Sequence, residues 1–237
     1  MPTHNKERPI LFSGSMIRAI LENRKCQTRR VVKLAGIDFR GCGGDKGTDW
    51  NDPSSWGFED EDGNEWALAA HPLVDHVIPC PHGVPGDTLW VRESFSAWFQ
   101  CIHWYNYKGI RDDLAASNVF YRATHHYPDD DQKWVPSIFM PRWASRITLE
   151  ITGVRVERVQ EISEADAHAE GCGTMLNESG NAGWSAWPAP PPPWSGYSFR
   201  NTFRHLWDTI NAKRGYGWDA NPWVWVVEFR RMESNNG

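Results

Sequence analysis

The chain has 237 residues and a formal net charge of −5, from 25 Lys and Arg against 30 Asp and Glu. This length suits one large domain or two small ones, and it is sufficient to bury a hydrophobic core. The negative charge excludes a protein that binds nucleic acid mainly through bulk positive charge, although it allows a local basic groove. No apolar run approaches the ~20 residues of a membrane-spanning helix, so we expect no membrane partner.

The cysteines indicate a reducing environment. They are Cys26, Cys42, Cys80, Cys101 and Cys172. None forms a Cys-x-x-Cys pair and the N-terminus has no secretory apolar region, which predicts free thiols in the cytoplasm. The pairs Cys80-x-His82 and Cys101-x-His103 lack the spacing of a standard zinc site. We therefore expect neither a metal nor a cofactor.

The N-terminal region predicts a strand, a helix and a second strand. Residues 9–12 are apolar and short enough for a buried strand, and residues 16–21 give the following helix its apolar face. Ser13 or Ser15 is expected to cap this helix, which should end near residue 24 or 25. Thr28 would then lie at the helix end or just beyond, before a strand over residues 29–32.

Two segments differ in composition from the rest of the chain. Residues 36–70 are rich in glycine and acidic residues, and residues 173–198 contain a run of prolines with several tryptophans. We expect both to be long loop insertions into a single domain that spans residues 1–237. Within the first insertion, residues 56–59 and 65–68 flank a turn and predict a β-hairpin.

The remaining pattern alternates strands and helices. Strands are predicted over residues 89–93, 120–123, 147–159 and 223–229, with a bulge or bend at Gly153. Helices are predicted from the Ser163 cap to Gly171 and over residues 199–211. The predicted fold class is α+β, with a small, partly open β-barrel flanked by helices.

Glu93 is the most unusual acidic residue of the chain. Alternation along its strand places it on the same face as the apolar residues Leu89 and Val91. A carboxylate on an apolar face is costly unless it has a partner. We therefore expect Glu93 to be buried and paired.

Two basic segments are candidate sites. Lys25 precedes the Thr28 hydroxyl by three residues, and an amine beside a hydroxyl can form a base–nucleophile pair. Neighbouring arginines can hold a phosphate, a carboxylate or a base edge, although a solvated basic helix end accounts for the same residues. In the second segment, Trp143 between Arg142 and Arg146 can stack on and clamp a base, or can pack at a strand edge.

These residues resemble the ASCH domain family, whose fold is a PUA-like β-barrel. The family signature Gly-x-Lys-x-x-Thr-x-Arg is matched here by Asn23-x-Lys25-x-x-Thr28-x-Arg30. A second block is matched by Pro85-Gly86-Asp87-x-Leu89-Trp90-Val91-x-Glu93, and a helix block by residues 165–171. The resemblance covers the chain outside the two insertions and is greatest to phage and prophage members. Asn23 replaces the glycine at a turn position that both residues tolerate.

The resemblance implies a function and a set of site residues. Some bacterial members are amidohydrolases that remove the acyl group from N(4)-acetylcytidine, with a Lys, Thr and Glu triad that corresponds to Lys25, Thr28 and Glu93. The expected substrate-binding residues are Arg24, Arg29, Arg30, Arg142, Trp143 and Arg146. Other members are proposed RNA binders, and some are described as ribonucleases, so the expected partner is an acylated cytosine nucleoside with RNA as the alternative.

The division of roles within the predicted triad stays open. Lys25 accepts a proton from Thr28 only when neutral, and burial lowers a lysine pKa whereas a nearby Glu93 would raise it. The pair would then titrate as a unit. The alternative within this class is that Glu93 activates water and Thr28 positions the substrate.

Overall fold

The computed structural model describes most of the sheet and helices. The described residues are 5–33, 37–40, 51–53, 57–60, 62–68, 76–97, 119–125, 134–173 and 198–233. Most of the predicted insertion 173–198, and parts of the insertion 36–70, lie outside these ranges. Cys42, Cys101 and His103 also lie outside them.

The described residues form eleven strands. They are β1 (Glu7–Leu11), β2 (Gln27–Val31), β3 (Ile37–Arg40), β4 (Gly57–Asp60), β5 (Glu65–Ala67), β6 (His76–Val77), β7 (Thr88–Arg92), β8 (Phe95–Ala97), β9 (Val119–Tyr121), β10 (Thr148–Arg158) and β11 (Trp223–Arg231). The main sheet has the order β1-β7-β10-β11-β2, and a second sheet has the order β3-β4-β5-β6. Strands β8 and β9 pair as a small separate ribbon.

Three α-helices accompany these sheets in the described residues. They are α1 (Gly14–Leu21), α2 (Glu164–Ala169) and α3 (Phe199–Asn211). Ser163 caps α2 as predicted, because its side chain accepts a hydrogen bond from the Asp166 backbone N–H at 3.0 Å. The Ser198 side chain caps α3 in the same way, from the Asn201 N–H. None of these helices combines the length and the apolar character needed to cross a membrane.

The α+β class is confirmed, whereas the barrel is not closed. Within the described strands, β1 and β2 form the two free edges of the main sheet, and no backbone pairing joins them. A side-chain hydrogen bond does connect these edges, since Arg30 Nη2 donates to the Leu11 carbonyl at 2.8 Å. The sheet is therefore open but curved enough to bring its edges into contact.

The main core lies between this curved sheet and helices α1 and α3. Its fully buried members include Ile17 and Ile20 of α1, Leu89 of β7 and Ile151 of β10. The predicted irregularity at Gly153 is confirmed, because the register of β10 on β11 shifts between Ile151 and Gly153. A Cβ at Gly153 would lie 2.7 Å from the Glu228 carboxylate, so a side chain there would displace that carboxylate.

Helix α1 is shorter than predicted. It ends at Leu21, and both Arg24 N and Lys25 N donate to the Ala19 carbonyl in the turn that follows. Asn23 has a φ of 57°, a left-handed conformation that favours Asn and Gly over other residues. Thr28 consequently lies beyond the helix, on β2, so Lys25 and Thr28 do not share a helix face.

The hairpin within the first insertion packs on the main core. The predicted hairpin is confirmed by the antiparallel pairing of β4 with β5, in which Phe58 lies opposite Trp66. Phe58 and Leu68 are each 2% exposed and belong to the main hydrophobic cluster. The expected insertion over residues 36–70 therefore contains a hairpin whose apolar residues belong to the core.

The burial of Phe58 predicts that the hairpin stabilises the whole domain. Phe58→Ala should lower the free energy of unfolding by about 3–5 kcal/mol, because it removes a buried ring and leaves a cavity. Phe139→Ala is the matched control, since Phe139 is 63% exposed and its loss should cost under about 0.5 kcal/mol. Urea denaturation followed by tryptophan fluorescence measures both. Equal small losses would show that the hairpin is dispensable to the core.

Candidate active site

A large cleft lies along the edge strand β2. Its volume is about 1130 Å³, and it is lined by β2, by α3 and by the loop of residues 78–82. Thr28 and Arg30 face it from β2, while Phe203 and Trp207 face it from α3. Glu170, directly after α2, also lines this cleft. Two residues of the sequence signature, Thr28 and Arg30, therefore line this cleft, whereas Lys25 does not.

Lys25 is a buried cation surrounded by acceptors. Its side chain has no solvent exposure. Its Nζ donates to the Gln27 carbonyl at 2.8 Å, to the Glu170 carbonyl at 2.9 Å and to Glu170 Oε2 at 2.7 Å. These acceptors match the three protons of an ammonium group. Burial lowers the pKa of Lys25 below its ordinary value, and the Glu170 carboxylate opposes that shift.

The turn after α2 places Glu170 against Lys25. An antiparallel bridge links Lys25 with Glu170, and Cys26 N donates to the Ala169 carbonyl. Gly171 follows with a φ of 87°, and a Cβ there would lie 2.9 Å from Ala19 Cβ and 3.1 Å from Lys25 Cβ. Only glycine combines this left-handed conformation with so close an approach. Gly171 therefore ends the helix and also allows the chain to approach Lys25 closely.

Arg29 fixes the other oxygen of Glu170. Its Nη1 lies 3.2 Å from Glu170 Oε1, and its side chain is fully buried. The same guanidinium donates to Glu157 Oε1 and lies 3.5 Å from Asp166 Oδ2. The Arg29 guanidinium is thus engaged by carboxylates inside the protein. Arg29 also lines the cleft, and its role as a substrate contact stays a prediction.

Thr28 is positioned by strand pairing. It lies opposite Val227 in the β2–β11 pairing and is 1% exposed overall. Within the described residues its hydroxyl makes no hydrogen bond, so the oxygen is not committed to another group. A threonine on an edge strand, facing a cleft, can present its hydroxyl to a ligand.

Arg30 carries positive charge to the wall of the cleft. Its guanidinium donates to the Leu11 carbonyl and lies 5.4 Å from the centre of the Phe12 ring. Burial lowers the pKa of Arg30 below its ordinary value, but arginine keeps its proton at neutral pH. The described residues contain no carboxylate that forms a salt bridge with it. Arg30 is therefore available to an electronegative ligand atom.

The predicted residue Glu93 belongs to a different cluster. It is 2% exposed, directly after β7, and Arg146 binds both of its oxygens, with Nε to Oε1 at 2.9 Å and Nη2 to Oε2 at 3.0 Å. The expectation that Glu93 is buried and paired is confirmed. The guanidinium of Arg146 also lies 3.9 Å from the centre of the Tyr121 ring. Glu93 is thus held by an arginine rather than by Lys25.

The other predicted substrate residues lie away from the cleft lining. Arg142 pairs with Glu7 and contacts Trp90, and Trp143 packs on the small core of Phe95, Met140 and Ala144. Arg24 binds Glu22 and the Gly171 carbonyl. Of the predicted substrate residues, only Arg29 and Arg30 are among the described residues that line the cleft.

Two residues of this site were missed from the sequence. Glu170 is at a helix C-terminus, where a glutamate has no local pattern that marks it as buried. His82 lies in the loop of residues 78–82 and lines the cleft opposite β2. Burial, together with repulsion from Arg30 and Arg8, lowers the pKa of His82 to about 4, so its imidazole is neutral at physiological pH. For Glu170, the available signal was its place in the helix block of residues 165–171. For His82, it was the Pro-rich loop that contains it.

The described residues contain no group of three or more His, Cys, Asp or Glu side chains arranged to hold a metal ion. Cys26, Cys80 and Cys172 are free thiols.

Comparison of the chain with protein-family models, with curated proteins and with solved structures gave no match. The site is therefore interpreted from its own geometry.

The Glu93–Arg146 pair predicts a pH-dependent loss of stability in a variant. Burial raises the pKa of Glu93, and Arg146 opposes that shift. A glutamate whose folded pKa exceeds its unfolded value loses stability as the pH rises between the two values. Arg146→Met removes the opposing charge and raises the folded pKa further, so it should cost about 3–5 kcal/mol at neutral pH and less near pH 5.

Chemical denaturation at several pH values measures this cost. The double variant Glu93→Met with Arg146→Met is the control, because replacing both charges removes the unpaired carboxylate. It should regain much of the lost stability and show a weaker pH dependence. A cost for Arg146→Met that does not change with pH would contradict the assignment of the effect to Glu93.

Proposed function

We propose that the protein is an amidohydrolase that removes the acyl group from N(4)-acylated cytosine nucleosides, with Lys25, Thr28 and Glu170 as its catalytic residues. The observation that carries this proposal is that Glu170 lines the cleft together with Thr28, whose hydroxyl is uncommitted among the described residues, while Glu170 is held from behind by the buried Lys25. Amide hydrolysis needs a nucleophile, a proton acceptor and a donor to the leaving amine. These residues supply all three, and Glu170 takes the place that the sequence assigned to Glu93.

The proposed reaction has two halves. The Thr28 oxygen attacks the acyl carbonyl carbon, and its proton passes to the Lys25–Glu170 pair. The carbon–nitrogen bond then breaks, and the pair returns the proton to the departing N4 amine. Water attacks the acyl-threonine ester in the second half, releasing the carboxylic acid and restoring the hydroxyl.

The cleft walls supply the remaining requirements. Arg30 is a permanent cation without a carboxylate partner in the described residues, and it can stabilise the negative charge that develops on the carbonyl oxygen. Tyr216 is half-buried at the cleft and offers a ring face for a pyrimidine.

We also propose that the fold is PUA-like, as supported by the five-stranded curved sheet whose edges meet at Arg30 and Leu11.

A module that holds modified nucleic acid is the second candidate function. The cleft volume of about 1130 Å³ lies above the usual range of about 300–1,000 Å³ for small-molecule sites. A flanking nucleotide would occupy the additional space. This candidate predicts tight binding of RNA at physiological salt without any release of cytidine.

The two buried glutamates provide a direct test of the catalytic assignment. Glu170→Gln should reduce kcat/KM for N(4)-acetylcytidine by about 10³-fold or more, because the pair loses its proton acceptor. Glu93→Gln is the matched control, since Glu93 is equally buried and equally paired with a cation but does not line the cleft. Its kcat/KM should stay within about threefold of wild type. Release of cytidine measures both, with circular dichroism as the check on folding.

A result in which Glu93→Gln is inactive and Glu170→Gln is active would restore the original triad. Loss of activity in neither variant would rule out carboxylate participation at this site.

The nucleophile is tested by substitutions at Thr28 that preserve its shape. Thr28→Val keeps the volume and removes the hydroxyl, so it should abolish turnover, whereas Thr28→Ser should retain a measurable fraction of it. Mass spectrometry after rapid quenching should detect an acylated wild-type protein. Full activity in Thr28→Val would instead assign attack to water, with Glu170 as the base.

A further inference from the structure

The cleft has an excess of positive charge that the proposed reaction does not use. Besides Arg29 and Arg30, it is lined by Lys33 and Arg214, and both of these are exposed. Glu170 is the only carboxylate among its described lining residues, and it is already engaged by Lys25 and Arg29. This local excess contrasts with the net charge of −5 of the whole chain.

Neither exposed cation has a carboxylate partner. Within the described residues, Lys33 and Arg214 form no salt bridge, whereas some arginines elsewhere on the surface do. Arg142, for example, pairs with Glu7, and Arg230 pairs with Glu150. Both cations therefore stand at the cleft without a counter-charge from any described carboxylate. Unpaired cations around a concave site attract an anionic ligand.

The state of His82 agrees with a positive potential in the cleft. Arg30 and Arg8 both contribute to the low pKa of this imidazole, after burial. The neutral ring adds no charge of its own, and it can donate or accept a hydrogen bond. The positive field therefore comes from the lysine and arginine side chains.

We infer that the ligand of this cleft is a phosphate ester of the nucleoside, whose phosphate is bound by Lys33 and Arg214 at the rim. The inference rests on the proposed function and specifies its substrate class as an acylated cytidine nucleotide rather than a neutral nucleoside. Arg214 can bind two phosphate oxygens at once, and Lys33 adds a point charge. Arg30, which is deeper, is kept for the acyl carbonyl.

The phosphate has two sources with the same chemistry. It belongs either to a free mononucleotide or to the backbone of an oligonucleotide that carries the acylated base. A single phosphate bound by two cations gives a small salt dependence, whereas several backbone contacts give a steep one.

The test compares substrates and rim variants. We expect wild type to process N(4)-acetylcytidine 5′-monophosphate with a kcat/KM about tenfold or more above that for N(4)-acetylcytidine. Arg214→Met and Lys33→Met should each remove most of this preference while leaving turnover of the nucleoside unchanged. Lys213→Met is the matched control, because this exposed neighbour of Arg214 does not line the cleft. A short acetylated oligoribonucleotide, assayed over a salt series, distinguishes the two phosphate sources.

Binding measurements separate this inference from the proposed function. Titration of cytidine 5′-monophosphate and cytidine, followed by the fluorescence of Trp207 and Trp225 in the cleft, needs no catalysis. Tighter binding of the monophosphate that is lost in Arg214→Met supports the inference even if no acylated substrate is turned over. Equal binding and equal turnover of nucleoside and nucleotide would overturn it while leaving the amidohydrolase proposal in place. An Arg214→Met variant that behaves like Lys213→Met would also overturn it.

Discussion

The buried ion pair of Lys25 and Glu170 is the interaction on which this site depends. Removing both charges from water costs several kcal/mol per ion, and a buried pair is maintained only when further hydrogen bonds satisfy each partner. Here two backbone carbonyls complete the shell of the ammonium, and Arg29 binds the second carboxylate oxygen. The pair therefore requires β2, the end of α2 and the Gly171 turn to be in place together.

A network of charges extends this requirement to the protein surface. Arg29 connects Glu170 with Glu157 and Asp166, and Arg155 connects the same two carboxylates with Glu228 on β11. Each cation is shared by several carboxylates, so no carboxylate near Glu170 is left without a counter-charge. Such sharing restricts the rotamers of Glu170. A fixed side-chain position is required of a group that transfers a proton, as proposed for Glu170.

Local sequence patterns predicted the regular elements well, because these patterns report periodic burial. The span of α3, the bulge at Gly153 and the hairpin after residue 56 all followed from such signals. The end of α1 did not follow from such signals. The chain turns at Asn23 in a left-handed conformation, and an asparagine does not mark this turn as clearly as a glycine would. The partner of Lys25 is 145 residues away in sequence, and no local pattern reports a contact made through tertiary structure.

Glu93 and Glu170, the two buried glutamates of the described residues, show that burial alone does not distinguish one candidate carboxylate from another. Glu93 satisfied every criterion available from sequence, as it is apolar-facing, buried and paired. Its partner is a guanidinium, which keeps its proton at physiological pH and so does not exchange one with the carboxylate. The partner of Glu170 is an amine whose pKa burial has lowered, and an amine can release and regain a proton. Under the proposed function, this second pair is the one suited to pass a proton between a hydroxyl and a leaving amine, and the identity of the cation distinguishes the two glutamates.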